Sequence, residues 1–500
     1  MSRTKEGYLW TPSSQTTGLP TASAQPIRTS KTPLNLKPQY DAIVIGAGFS
    51  GLIAARELSR THSLNVLLLD ARDRLGGRTW TANVLGEEIE MGGTWVHWNQ
   101  PHLYKELHRY GLHKHLKTSA GTSAAENQFF LPGAENENAK VESVGNDEYA
   151  KLEELAGHFF TLDGLDSRAL MPYPHDSLRE PAPWKRYDHL SVRDRLDQLA
   201  DRFTARERGL FESNVSTFGS APANEIAFVE ALRWLALGGH SMAGVFELAG
   251  VYKLGKGGVT AFARAIFEEF RGDAVFGVAV REVRQVRGGE VEVVTVEGEV
   301  MKGKVVISTI PLNCLSDIKF DPPLSPLRQE AITKGHINQG AKIHFKLRET
   351  LPGWFWTAES GRSRFVFAFS DHNGTQPSGP SGTWCIGFGY NGHLTDKKDS
   401  KAIIKAFHED INPDHTVEAY ATHDWMNDPY AKGVWACWGP RCTSKYLKAL
   451  QEPHGRVVFA SADWADGWRG FVDGAIERGQ VAVRDTLRLL EDHIAVAAKL

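Results

Sequence analysis

The chain has 500 residues, 41% hydrophobic and 23% charged, with a net charge of −3. That length exceeds one hydrophobic core, so two or three structural domains are expected, and the near-neutral balance excludes a polyanion such as nucleic acid as the natural partner. The four cysteines, Cys314, Cys385, Cys437 and Cys442, are too few and too scattered for a disulfide framework or a structural zinc site, so no metal is expected and a reducing intracellular compartment fits best.

Residues 1–39 are polar, rich in Ser, Thr and Pro, and hold no apolar signal segment. They read as a flexible N-terminal arm. Asp41 to Ile45 is a short apolar run suited to a buried parallel strand. Gly46, Gly48 and Gly51 follow as GxGxxG, with Ser50 inside the motif, and Leu52, Ala55 and Leu58 recur at helical spacing. "NVLLLD" is a second buried strand ending in Asp70. Each part has a dinucleotide-binding reason. Gly46 permits the tight turn, Gly48 lets the backbone approach a pyrophosphate, and Gly51 lets the helix pack on the sheet. The pyrophosphate then meets the helix N-terminus, and Asp70 accepts from ribose hydroxyls. The extension "ARDRLGGR" is similar to that of the glutathione-reductase-like flavoproteins and favours FAD over NAD. In it Arg72 and Arg78 can reach phosphate or adenine-side groups, and Gly76-Gly77 let the chain pass close to the cofactor.

Farther along, "ALRWLALGGHSMAGVFELAGVY" holds Arg233, His240 and Glu247 and reads as a buried helix, not a membrane span. "YKLGKGGVTAFARAIFEEF" reads as loop and helix. The next stretch, to Thr309, reads as a meander of short strands with Gly288-Gly289 in a hairpin turn. "GAKIHFKL" is an alternating strand carrying Lys342, and alternation would point Asn338 to the same face. "QPSGPSG" at 376–382 reads as a loop. In "AKGVWACWGPRC", Cys437 would share the face of Trp435 on an extended strand. "RVVFAS" is a returning strand, and a final helix starts near Val472 or Gly474. The terminal Ala498-Lys499-Leu500 is a variant of the SKL peroxisomal address.

These motifs closely resemble the flavin amine oxidases, specifically the fungal monoamine oxidases. The resemblance is carried by "DARDRLGGRTW", "EMGGTWVHW", "VVISTIPLNCL", "AKIHF", "AKGVW" and "DWADGWRGFVDGAIERG". It implies a mixed α/β fold: a glutathione-reductase-like, Rossmann-type FAD domain from residues 40–100, 251–320 and 441–490, with a sheet-plus-helices substrate domain from 101–250 and 321–440. The segment 491–500 would be a tail. The resemblance places Lys342 where it holds a water against flavin N5. It places Trp435 and Phe471 as aromatics flanking the substrate amine, with Trp95, Asn338 and Phe246 as further substrate contacts. It places Gly92, Gly93 and Thr94 against the isoalloxazine, Val280 at the adenine, Asp463 at the ribityl or phosphate, and Val472 at the start of a helix facing flavin N1–O2. The family usually has glutamate at Asp70 and, in animal relatives, tyrosines at Trp435 and Phe471. The position before Trp435, a flavin-tethering cysteine in animal relatives, is Val434, so FAD is expected to be noncovalent.

The implied reaction is oxidative deamination of small hydrophobic monoamines by hydride transfer, with O₂ giving H₂O₂. A polyamine oxidase, an L-amino-acid oxidase, and a non-catalytic flavin-binding protein are the alternatives. Peroxide chemistry makes the peroxisomal matrix the expected location, through an import receptor, with the cytoplasm as alternative. A homodimer is allowed.

Overall fold

The computed structural model describes residues 1–26, 36–119, 125–133, 140–255, 257–286, 288–338, 340–375, 381–390 and 392–497, with side chains through Glu491. Five parallel strands lie in the spatial order Asp273–Phe276, Val66–Asp70, Tyr40–Ile45, Val300–Ser308 and Val457–Phe459. Alternate residues divide between two cores. Ala42, Val44, Val66 and Leu68 face the helices Phe49–Arg56, Gly258–Glu268 and Val472–Ala497, whereas Ile43, Ile45, Leu67 and Leu69 face Leu315, Leu447 and Trp464. Covered on both sides, the strands are apolar along their central stretches, Ala42–Ile45, Val66–Leu69, Val305–Ile307 and Val457–Phe459, as buried parallel strands must be. Strand Val300–Ser308 also closes the antiparallel meander with Val280–Val286 and Glu290–Thr295. At its first hairpin Gly288 and Gly289 both have positive φ, 95° and 81°.

A second, nine-stranded sheet runs in the order Glu142–Ser143, Asn127–Leu131, Trp354–Ala358, Phe365–His372, Trp384–Gly389, Ala341–Leu347, Val417–Thr422, Tyr8–Thr11 and Ser14–Thr17. The last two strands correct the reading of residues 1–39 as a flexible arm. Tyr8–Thr11 pairs with Val417–Thr422, Trp10 stacks on Tyr420 at 5.6 Å, and Tyr8 is buried. The polar composition misled because backbone pairing at a sheet edge holds this hairpin. Strand Ala341–Leu347 alternates as expected, yet all seven residues are buried. Its polar face, with Lys342 and His344, packs against Glu90 rather than water.

A helical cap covers this sheet with helices Asn146–Phe159, Ala205–Ser216, Phe228–Leu237 and Met242–Gly250 around Phe159, Phe211 and Phe228. The apolar stretch expected as one helix is therefore two. Gly239 and His240 have positive φ, 80° and 64°, and the Ser241 side chain accepts from Gly244 N to start the second helix. The final helix runs on through Ala497, so most of 491–500 continues it instead of forming a tail. Ala498–Leu500 and residues 376–380 of the expected loop lie outside the described residues. Among the described residues, no helix is long and apolar enough to cross a membrane.

Candidate active site

One cavity of about 1010 Å³ runs from the C-terminal ends of the parallel strands to the inner face of the second sheet and the cap. Its first half is built by glycine turns. Gly46, Gly48, Ser50, Asp70, Arg72, Gly77 and Arg78 all line it. Gly46 has φ +110°, and a Cβ there would stand 2.2 Å from Thr309 Oγ1. Gly51 does not line the cavity. A Cβ on it would lie 1.8 Å from Gly46 O, so its part is to let the helix close on the turn. A Cβ on Gly77 would lie 3.2 Å from Gly48 Cα, which brings the two glycine loops into contact. Asp70 accepts from Ala47 N at 2.6 Å and Arg72 N at 2.7 Å, so its carboxylate fixes both loops. Burial pushes its pKa up against those two hydrogen bonds.

One expectation in this half, that for Asp463, is corrected. The Arg72 guanidinium is bonded to Asp428 at 2.7 and 2.9 Å and to Glu6. Arg74 reaches the same Glu6 at 2.6 Å. Burial opposes ionisation of Glu6 and Asp428, yet the arginines hold both carboxyls well below the usual range. Glu6, His423 and Asp428 bring ligand-type atoms within 4.8 Å, but these are already bonded to Arg72, and His423 Nε2 lies 2.6 Å from Asp428 Oδ2. Asp463 is fully buried behind the wall, not on it. It accepts from Arg78 at 2.6 Å and from Leu312 N at 2.8 Å. Burial raises its pKa, but Arg78 and His336 outweigh that and lower it. Arg78 also donates to Val434 O at 2.8 Å and so ties the Trp435 loop to the third sequence segment.

The second half is aromatic. Gly92, Gly93, Thr94, Trp95, Lys342, Trp435, Phe471 and Val472 line it with Phe246, while Val280 lines the opposite end. Gly470 has φ +84°, and a Cβ there would lie 2.9 Å from Ala436 N and 3.4 Å from Trp435 Cβ. This glycine therefore lets the segments bearing Trp435 and Phe471 touch. Trp435 Nε1 donates to Phe218 O at 2.8 Å, and Phe471 packs on Trp234 and Trp468 with ring centroids 4.9 and 5.0 Å away. Sequence reading missed the wall of Phe355, Phe367, Phe369 and Phe388, where Phe367 and Phe388 stack at 4.4 Å. The alternation in "RFVFAF" carried that signal, although a register shift after Phe365 sends that ring into a different core.

Lys342 is buried beside this wall. It donates to Glu90 O (2.8 Å), Gly92 O (2.8 Å) and Thr94 Oγ1 (2.6 Å). Burial pulls its pKa down and the Glu90 carboxylate holds it up. Because Thr94 Oγ1 itself donates to Gly92 O at 2.9 Å, it accepts from Lys342, and three acceptors match the three protons of an ammonium. Those protein oxygens hold the ammonium beside Gly92 and Thr94, on the cavity wall.

Asn338 is a further correction. The strand begins at Ala341, so alternation does not extend back to it. Its side chain is fully buried outside the cavity wall, and its backbone O accepts from Val434 N at 3.2 Å. Cys437 likewise does not share a strand face with Trp435. Residues 431–439 form no strand, and Cys437 packs into the cap core against Gly219. Cys314 does line the cavity, beside Asp317 and Pro429 at the end away from Lys342, and burial pushes its thiol up to about 12.

The first half fits a flavin dinucleotide. Ser50 Oγ is a buried, unpaired polar atom on the wall at the start of helix Phe49–Arg56, next to glycine turns that no side chain fills. A glycine-turned βαβ unit opening into a long cavity with an aromatic far end defines the class of FAD-dependent oxidoreductases. The chain belongs to the flavin-containing amine oxidoreductase family, whose model matches residues 49–487. It is 34% identical over 450 residues to a pseudooxynicotine dehydrogenase of Pseudomonas sp, covering 90% of this chain and 86% of that protein. It is 25% identical to amine oxidase [flavin-containing] B of Bos taurus, covering 91% and 87%. A putrescine oxidase bound to putrescine shares the fold with a TM-score of 0.70 at 21% identity, covering 90% and 99%. The protein is thus an amine oxidoreductase that uses FAD.

Proposed function

We propose that the protein oxidises small hydrophobic monoamines to the aldehyde or ketone with release of ammonia. The observation that carries this is the aromatic half of the cavity. Its described lining holds no arginine to receive an amino-acid carboxylate, because Arg72, Arg78 and Arg281 all stand in the other half. FAD, when bound, supplies the redox chemistry, accepting a hydride equivalent from the amine α-carbon and passing the electrons to O₂.

The residues of the chain supply position and charge. Gly46, Gly48 and Ser50 would hold the pyrophosphate, Asp70 the ribose, and the Val280 backbone the adenine. Gly92, Gly93, Thr94 and Val472 would hold the ring system, with Asp463 and Arg78 aligning these segments from behind. Trp435 and Phe471 orient the amine between them. Neither the indole of Trp435 nor the phenyl ring of Phe471 carries a basic lone pair, so neither serves as a base, and on this reading the amine enters in its neutral form. Lys342, whose pKa burial lowers to about 7 against the pull of Glu90, contributes positive charge in its protonated form where electrons would pass to O₂. No described cysteine lines the aromatic half, which supports noncovalent FAD. Peroxisomal import through Ala498-Lys499-Leu500 is proposed from the tripeptide alone.

A panel of benzylamine, hexylamine, L-amino acids and spermine, read by peroxide release, tests the substrate class. Turnover of the monoamines is expected, and turnover confined to amino acids or spermine would overturn it. Two curated relatives are named dehydrogenases, which favours a second reading of the electron acceptor. Monoamine turnover with a dye acceptor but without peroxide would select it.

A further inference from the structure

The amine this site receives is a cation in neutral water, and protonated Lys342 presents a like charge deep in the cavity. The described carboxylates lining the cavity are Asp70, Glu247 and Asp317. Asp70 holds two backbone N–H groups, and Asp317 pairs with Lys432 at 2.6 Å. Among the described residues Glu247 has no lysine or arginine partner. Its neighbour is His97, with Nε2 3.4 Å from the carboxylate. His97 Nδ1 accepts from Asn99 N at 3.0 Å, which leaves the ring hydrogen on Nε2, facing Glu247. His97 is buried and burial lowers its pKa, so it serves as a neutral donor to the Glu247 carboxylate. The Glu247 side chain is 49% exposed and yet lines the cavity. It therefore stands where the cavity meets solvent, next to Phe246 on helix Met242–Gly250 and on the stretch of wall that holds Trp95 and Tyr252.

We propose that Glu247 is the anchor of an ammonium-binding subsite at the mouth of the cavity, where an alkylammonium docks before it releases its proton to bulk water and passes inward as the neutral amine. A half-exposed carboxylate beside aromatic rings captures cations by charge and by the negative ring faces. The role of Glu247 is specificity and capture, and it rests on the amine-oxidase reading above.

The test compares the FAD-loaded wild type with Glu247→Gln. The ligands are benzyltrimethylammonium, which cannot become a neutral amine, and its uncharged isostere neopentylbenzene. Binding is read from the perturbation of flavin absorbance. The wild type is expected to prefer the cation by about tenfold, falling as salt rises. Glu247→Gln should lose that preference while binding the neutral isostere as before, and should raise KM for hexylamine with little change in kcat. An unchanged cation preference in Glu247→Gln would overturn the subsite, whether or not amines are oxidised. A preference that depends on Glu247 in a protein that no amine reduces would keep the subsite and sink the oxidase reading.

Discussion

Lys342 ties the nine-stranded sheet to the segment after strand Glu87–Glu90, bonded to Glu90, Gly92 and Thr94. Replacing it by methionine removes the charge and one of the two donors to each of Glu90 O and Gly92 O, which keep His344 and Thr94. We expect Lys342→Met to lower kcat by roughly 10²-fold, mainly in flavin reoxidation, which stopped-flow mixing with O₂ measures directly. His336 gives a prediction in pH. It is buried with both ring nitrogens unpaired, and burial pulls its pKa down to about 4. A depressed pKa means that the unfolded chain takes up the proton first as pH falls. Stability is therefore full above about pH 6.5 and is lost toward pH 4, by up to about 3 kcal/mol. His336→Leu should flatten that acid limb in melts recorded across the window. His336 was invisible in the sequence as a buried group because nothing local marks it. Lys342 was legible because the resemblance and the strand alternation both singled it out, whereas its three partners come from a segment some 250 residues away.

At the scale of elements, the βαβ unit and the meander were readable because their periodicity and glycine turns are local signals. The hairpin Tyr8–Thr11 and Ser14–Thr17 was not, because its stability comes from pairing with Val417–Thr422 and from the contacts of Glu6 with Arg72 and Arg74. Breaking such a buried ion pair from one side leaves uncompensated charge. Glu6→Gln should cost about 3 kcal/mol, lower the melting temperature by several degrees and weaken FAD retention, as a flavin-release melt would show. The Gly470 turn makes a sharper case. Its φ of +84° and its contact with Ala436 leave no room for a side chain. Gly470→Ala should displace Trp435 and lower kcat/KM about tenfold or more while FAD stays bound, which steady-state kinetics on flavin-matched samples would check.

The whole molecule places two sheets around one cavity, the first carrying the dinucleotide turns and the second an aromatic wall. The glycine turns were legible because each answers a local backbone demand. The wall was only half legible, since Phe355, Phe369 and Phe388 come from three strands that meet only in the folded sheet. The same distance between sequence and space explains Asn338 and Asp463, which hold the site from behind. The central claim is that a neutral monoamine in this cavity reduces bound flavin. Its most direct test is anaerobic titration of the purified holoenzyme with benzylamine or hexylamine, followed at the oxidised-flavin absorbance. Stoichiometric bleaching that air restores is expected. Absorbance unchanged by every amine tried would contradict it.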